Sequence, residues 1–348
     1  MLLSLRQQKI ALIIHANPGI SSSRVQEQLE EKMSLITVKR DVTLLLKQGY
    51  LTSSGSGPSI TYELSLLGRL FLPLDAHAYC AIEPDKRPAS PHFNFNLFPR
   101  IPETVFTEDE RTRLDKATVG YRARSGGMSE ALHTKELERF VIELSWKSSK
   151  IEGNTYTLID TERLIREGIP APGKTRDETA MVLNHKKAFD FVCEQKALFA
   201  GMPNHAAIER VHALLVENLG IASGVRRGGV GIVGTVYRPL DNQYQIREAL
   251  EKLYAAVYRS RDPYSKALLL LAGLSYIQPF EDGNKRTARL SANAILMAHE
   301  RTPLSYRSVD EVAYRESITV FYELRSIEPL KRIFIDQYLF AAKQYAGI

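Results

Sequence analysis

Two arginines three residues apart, Arg286 and Arg289, follow an acidic residue, Asp282, a glycine, Gly283, and an asparagine, Asn284. They belong to the string Gln278-Pro279-Phe280-Glu281-Asp282-Gly283-Asn284-Lys285-Arg286-Thr287-Ala288-Arg289. Pro279 and Gly283 mark a loop, and Asn284 is a good N-cap, so a helix is expected to begin there. The first amides of such a helix lack intrahelical partners and, with the positive end of its dipole, form an anion site. Arg286 and Arg289 would share a face near that end, and the Asp282 carboxylate could hold a magnesium ion against phosphate oxygens. Phosphate binding is the chemistry these residues could do. A plain interhelical turn with surface arginines would use the same residue types, because Gly, Asn and Asp tolerate turn backbones.

Such a loop needs a rigid frame. Residues 264–277 before it are dense in Leu and Ala, and residues 290–297 after it continue with apolar residues at helical spacing. Further helices are expected over 107–123, 128–150, from about 161, over 177–195, 205–217, 246–259 and 330–345. Residues 226–239 are the one β excursion: Val, Ile and Thr alternate with glycine before a proline, which reads as a short hairpin. In Ser148-Ser149-Lys150-Ile151-Glu152-Gly153-Asn154, Ser148 and Glu152 are four apart on one helix face, and Gly153 ends the helix.

The 278–289 string resembles the signature of the Fic family, H-P-F-x-[DE]-G-N-[GK]-R-x-x-R, at every position except the first, where Gln278 replaces histidine. Residues 148–153 are similar to that family's inhibitory motif, [ST]-x-x-x-E-[GN]. The resemblance implies a mainly α body over residues 107–348 with a short hairpin flap. It implies ATP and magnesium at Asp282, Gly283, Asn284, Lys285, Arg286 and Arg289, the metal on Asp282. It implies transfer of AMP to a protein hydroxyl, with the target aligned by strand addition at the flap, around Val230, Gly231, Ile232 and Val233. Glu152, at the end of an inhibitory helix at about 128–153, would pair with Arg289 where the γ-phosphate would lie. A carboxylate on a guanidinium competes directly with a phosphate for it.

Two positions depart from the family pattern. The signature histidine accepts the hydroxyl proton, whereas an amide at Gln278 has no titratable site near neutral pH and can only orient a hydroxyl. Losing one general base costs about 10²–10⁴-fold. No histidine is close in sequence to the string; His185, His205, His212 and His299 are candidates to approach it in space, each read as structural or exposed. Lys285 stands where many members have glycine and where the Doc branch, which transfers phosphate, also has lysine. Two readings follow. One is an autoinhibited AMP transferase with weakened proton abstraction. The other is a degenerate Fic domain that binds nucleotide without chemistry, as a nucleotide-sensing transcriptional regulator or docking module.

Residues 1–70 read as three short helices, over 6–16, to 29 and over 35–48, then strands at 50–52 and 60–64. This α+β pattern resembles a winged helix-turn-helix, whose third helix would present Thr37, Lys39 and Arg40 to a major groove. Double-stranded DNA is the partner so implied, and protein docking is the other use of such a module; eight Lys or Arg against five Asp or Glu leave only +3. Residues 71–106 carry prolines at 73, 84, 88, 91, 99 and 102 among Phe93, Phe95, Phe98 and Phe106, as an ordered connector would. The whole chain of 348 residues carries +6, compatible with nucleotide or nucleic-acid partners. Cys80 and Cys193 have neither disulfide nor zinc spacing. With no apolar run long enough for a bilayer and no export signal, a cytoplasmic setting is expected. Nucleotide and a target protein are the expected partners, with a homodimer left open.

Overall fold

The computed structural model describes residues 3–31 and 33–348. Three helices open the chain, α1 (Leu5–Ala16), α2 (Ser22–Gln28) and α3 (Leu35–Lys47). An antiparallel pair follows, β1 (Leu51–Ser54) and β2 (Thr61–Leu64), in register from Leu51 opposite Leu64 to Ser54 opposite Thr61. Ser4, Ser21 and Ser34 accept from the first-turn amides and so start the three helices. Val38, Val42 and Leu45 form the buried stripe of α3 against Ile10 and Ile14 of α1 and Val25 of α2.

Residues 71–106 are ordered and carry α5 (Ala76–Cys80) and α6 (Leu97–Arg100); α4 (Leu66–Leu70) precedes them. Phe93 stacks on Tyr276, ring centroids 4.8 Å apart, and Phe98 is buried beside it. The opening unit is tied to the body as well. The amide of Ile327 donates to Leu70, and the Ser326 hydroxyl to the Leu72 carbonyl. Beneath Phe71 the fully buried Lys331 ammonium meets Glu328 at 2.7 Å and Glu110 at 3.3 Å.

The body comprises α7 (Glu108–Ser125), α8 (Glu130–Ile151), α9 (Leu158–Glu167), α10 (Arg176–Glu194), α11 (His205–Leu215), α12 (Gln243–Arg259), α13 (Pro263–Ile277), α14 (Asn284–Ala298), α15 (Glu311–Leu324) and α16 (Glu328–Gln344). From residue 264 to 277 only Lys266 escapes burial, as a helix apolar on every side requires. Gly273 lets α12 cross α13 closely, since a Cβ there would lie 2.3 Å from Leu253 Cδ1. Among the described residues no helix is long and apolar enough to cross a membrane.

The expected hairpin at 226–239 is absent. Among the described residues β1–β2 is the sole sheet, and residues 226–239 contribute only a bridge from Arg238 to His92. The alternating Val and Ile share no buried face: Ile232 is only partly buried against the core, and Val233 is fully exposed. Glycines at 228, 229, 231 and 234 weaken a strand, and a lone two-stranded hairpin is marginal without packing.

Candidate active site

Helix α13 delivers the loop and α14 receives it. Gln278 ends α13 in the left-handed region, φ 52°, a conformation costing a non-glycine residue roughly 1–2 kcal/mol. Its side chain is buried: Nε2 donates to the Ser275 carbonyl at 2.7 Å and lies 3.3 Å from the Tyr322 hydroxyl. Its carbonyl accepts from Arg226 Nε at 2.7 Å, and the Arg226 amide donates to the Pro279 carbonyl. Arg226 therefore straps the start of the 226–239 segment onto the loop.

The helix start differs from expectation. Gly283, at φ 75°, is the cap residue of α14, no side chain caps it, and Asn284 is already helical. The Asn284 amide closes the loop instead, accepting from the Phe280 amide and donating to the Phe280 carbonyl, both at 2.8 Å. Only glycine enters this left-handed turn at no steric cost, so Gly283 takes the cap position and the first amides of α14 remain uncapped. Below the loop, His212 of α11 stacks on Phe280 at 3.8 Å, and its Nε2 lies 3.0 Å from the Asp282 carbonyl. Burial pushes His212 down to about 4, against a weaker opposing pull from Asp282. The imidazole is therefore neutral near pH 7, with Nε2 carrying the proton it gives to Asp282.

The two arginines are not surface residues: Arg286 is 2% exposed and Arg289 0%. Arg286 reaches the Leu215 carbonyl and the Asp282 carboxylate, each at 3.4 Å, and burial lowers its pKa. Arg289 Nη1 donates to Glu152 at 2.8 Å, Nε to the Ser148 hydroxyl at 3.0 Å and Nη2 to the Ser148 carbonyl at 2.8 Å. Its guanidinium also lies over the rings of Tyr314, at 5.5 Å, and Tyr306, at 6.0 Å. Glu152 follows the last turn of α8, with Gly153 at φ 96° beyond it. Its other oxygen meets Lys285 at 3.2 Å. Burial would raise the Glu152 pKa, but Arg289 and Lys285 overcome this and hold it down at about 2. Behind the arginines, His185 of α10 is fully buried with no partner on either ring nitrogen, and burial with the nearby cations lowers it to about 3.

One turn before Glu152, Ser148 follows Trp146, the only tryptophan. Trp146 donates to the Tyr156 carbonyl at 3.1 Å, and the Lys147 and Lys150 ammonium groups lie 5.4 Å from its ring centre. Both lysines pair with Glu311 of α15.

The structure thus brings Ser148, Glu152, Gln278, Asp282, Lys285, Arg286 and Arg289 to one place. It leaves Val230 to Val233 in an open segment anchored at Arg226. Thr37, its hydroxyl 2.9 Å from that of Ser34, lies on α3 with the exposed Lys39 and Arg40. Of the four distant histidines, His185 and His212 approach the site, whereas His205 meets Tyr254 and His299 an Ile295 carbonyl. Spacing gave no sign of Tyr306, Tyr314 or Tyr322; a tyrosine-rich C-terminal third was the only hint. The Asp282 side chain is 69% exposed, so one carboxylate, not a cage, faces outward. An oxyanion on Arg289, flanked by Arg286, Lys285 and uncapped helix amides, is an arrangement suited to phosphates; here the Glu152 carboxylate stands in that position.

Residues 203–296 match the profile of the Fic/DOC family. The protein adenylyltransferase Fic of Nematostella vectensis is 31% identical over 187 residues, 49% of this chain and 41% of the relative. The protein adenylyltransferase fic-1 of Caenorhabditis elegans is 26% identical over 203 residues, 57% of this chain and 39% of the relative. The chain thus spans about two fifths of the length of these curated relatives. Among solved structures, a Fic family protein from Desulfovibrio desulfuricans superposes with a TM-score of 0.58 at 20% identity, covering 70% of this chain and 76% of the other. Fic-1 of C. elegans gives 0.56 at 22%, covering 68% and 72%. The body therefore has the Fic fold. Ser148 and Glu152 lie outside the segment the family profile covers.

Proposed function

We propose, for a chain whose residues 203–296 are a Fic/DOC family domain, that it transfers AMP from ATP to a protein hydroxyl and is held inactive by Glu152. The observation that carries this reading is the oxyanion on Arg289: a carboxylate and a phosphate compete for the same guanidinium donors. Arg286, Arg289, Lys285 and the first amides of α14 would hold the phosphates, with Gly283 and Asn284 shaping the loop. Magnesium, when bound by Asp282 and phosphate oxygens, supplies charge neutralisation. Val230, Gly231, Ile232 and Val233 would align the target beside it. The target oxygen joins the α-phosphorus as its bond to the bridging oxygen breaks. Pyrophosphate leaves and the hydroxyl proton passes to solvent, because Gln278 can orient a hydroxyl but not take its proton.

A second reading, nucleotide sensing without turnover, is favoured by Gln278 itself, whose amide N–H groups are committed to Ser275 and Tyr322. Under either reading the domains are taken as 1–70, a winged helix-turn-helix; 71–106, the connector; and 107–348, the Fic body with its inhibitory helix. Lys39 and Arg40 would meet DNA, and the cytoplasm is the expected setting. ATP labelled at the α-phosphate or at the γ-phosphate, incubated separately in lysate with the chain carrying Glu152→Gly, which frees Arg289, tests the assignment. Label on protein from the α-position alone supports AMP transfer. Label from the γ-position indicates phosphate transfer. No label, with ATP still raising the melting temperature, favours sensing; neither label nor shift overturns both.

A further inference from the structure

We propose that Glu323 is a positioning residue for target docking, the clamp through which the connector sets the 226–239 segment. The inference rests on the reading of residues 230–233 as the docking element. Glu323 is fully buried near the end of α15. Four donors converge on its carboxylate. Arg87 at 3.2 Å, Thr235 at 2.6 Å and the Val236 amide at 3.3 Å meet one oxygen, and the Tyr79 hydroxyl meets the other at 2.6 Å. Arg87 also donates to the Gly234 carbonyl at 3.0 Å.

These partners come from two places. Tyr79 and Arg87 belong to the connector; Gly234, Thr235 and Val236 belong to the far arm of the segment. A buried carboxylate holds both only while its donors are in place, because an uncompensated buried charge is strongly unfavourable. The near arm is fixed differently, by Arg226 on the Gln278 and Pro279 carbonyls. Residues 228–233 run between the two anchors, with Ile232 partly buried against the core, and their glycines let them adjust. One anchor thus reads the nucleotide loop and the other reads the connector that leads from residues 1–70. Displacing the connector would move the far arm, and by thermodynamic reciprocity a docked target would tighten the connector.

Amide hydrogen exchange on the full chain tests the clamp. Within residues 234–237, Arg87→Ala should speed exchange by about 10–100-fold at Val236 and Tyr237, whose amides donate to Glu323 and to the Thr235 hydroxyl, the loss expected of a hydrogen bond to a charged group. Amides of α14 should be unchanged. Tyr79→Phe, which keeps the packing and removes one donor, should give a smaller change at the same residues. If both variants exchange at 234–237 as the unaltered chain does, the clamp is wrong. If exchange rises throughout the body, the residues are merely structural. In a chain also carrying Glu152→Gly and Gln278→His, Arg87→Ala should lower AMP labelling of dilute lysate, with recovery in concentrated lysate and no change in the ATP-induced thermal shift. Equal loss at all lysate concentrations overturns the docking role. If that doubly altered chain labels nothing, the transferase reading fails, and the exchange data still decide the clamp.

Discussion

Glu152 approaches Arg289 to 2.8 Å across 137 positions of sequence, and Ser148 on the preceding turn takes two more of the same guanidinium's donors. Guanidinium has five N–H groups, so one helix end engages most of what a phosphate would need. Any anion that binds Arg289 must displace that helix end or wait until Glu152 withdraws.

Glu152→Gly should therefore weaken the nucleotide-free chain by on the order of 3 kcal/mol, because a buried guanidinium loses its counter-ion. Magnesium-ATP should more than restore the loss, giving a larger rise in melting temperature than in the unaltered chain. Arg286→Ala should remove the rise. A thermal shift that is equal with and without Glu152 would deny the competition.

Gln278→His supplies an imidazole with a pKa near working pH. Alone it should stay quiet under Glu152. Combined with Glu152→Gly it should exceed the single Glu152→Gly chain in AMP labelling by about 10²–10⁴-fold. Equal labelling by the two would mean that Gln278 is no handicap.

Acid should destabilise the chain in a window set by its buried histidines. His212, held at about 4, and His185, at about 3, both lie below the ordinary 6.5. Between 6.5 and those values the unfolded chain binds protons that the native chain refuses. Stability should fall with pH there by about 1.4 kcal/mol per unit for each histidine. Glu152, held at about 2 against an ordinary 4.5, contributes stability that is fully present above 4.5 and lost only below it, toward 2. Urea midpoints measured from neutral pH to about 5 would show the histidine slope, and His185→Leu should remove one histidine's share. An unchanged slope in that variant would place the titration elsewhere.

Lys39→Ala with Arg40→Ala should weaken binding to duplex DNA and flatten its salt dependence, since phosphate contacts release counterions. Gel shifts at two salt concentrations measure this. An unaltered chain that binds no duplex even at low salt would make residues 1–70 a protein-docking unit.

The helical body was legible because apolar spacing marks its helices: those expected over 107–123 and 128–150 run from Glu108 to Ser125 and from Glu130 to Ile151, and the apolar residues 264–277 form a core helix. The pairing of Glu152 with Arg289 was legible from two local patterns, Ser148 to Gly153 and 278–289. The 226–239 segment departs from the expected hairpin because alternation of Val and Ile says nothing of whether a face exists to receive them. Asn284 stands one residue past the cap because residue preference does not reveal that Gly283 turns left-handed and frees the amide to grip Phe280. Tyr306, Tyr314, His185 and Glu323 act through contacts between elements far apart in the chain, which no local spacing encodes.

The solitary tryptophan has an optical consequence. Trp146 sits on the turn that leads into Ser148, and its indole N–H is bonded to Tyr156, while the arginines of the site are lined by tyrosines. Red-edge excitation selects indole over phenol. Emission excited there should follow the end of α8 alone, without an attached dye. Mixing the unaltered chain with nucleotide in a stopped-flow cell would then time the release of the guanidinium separately from any later chemistry.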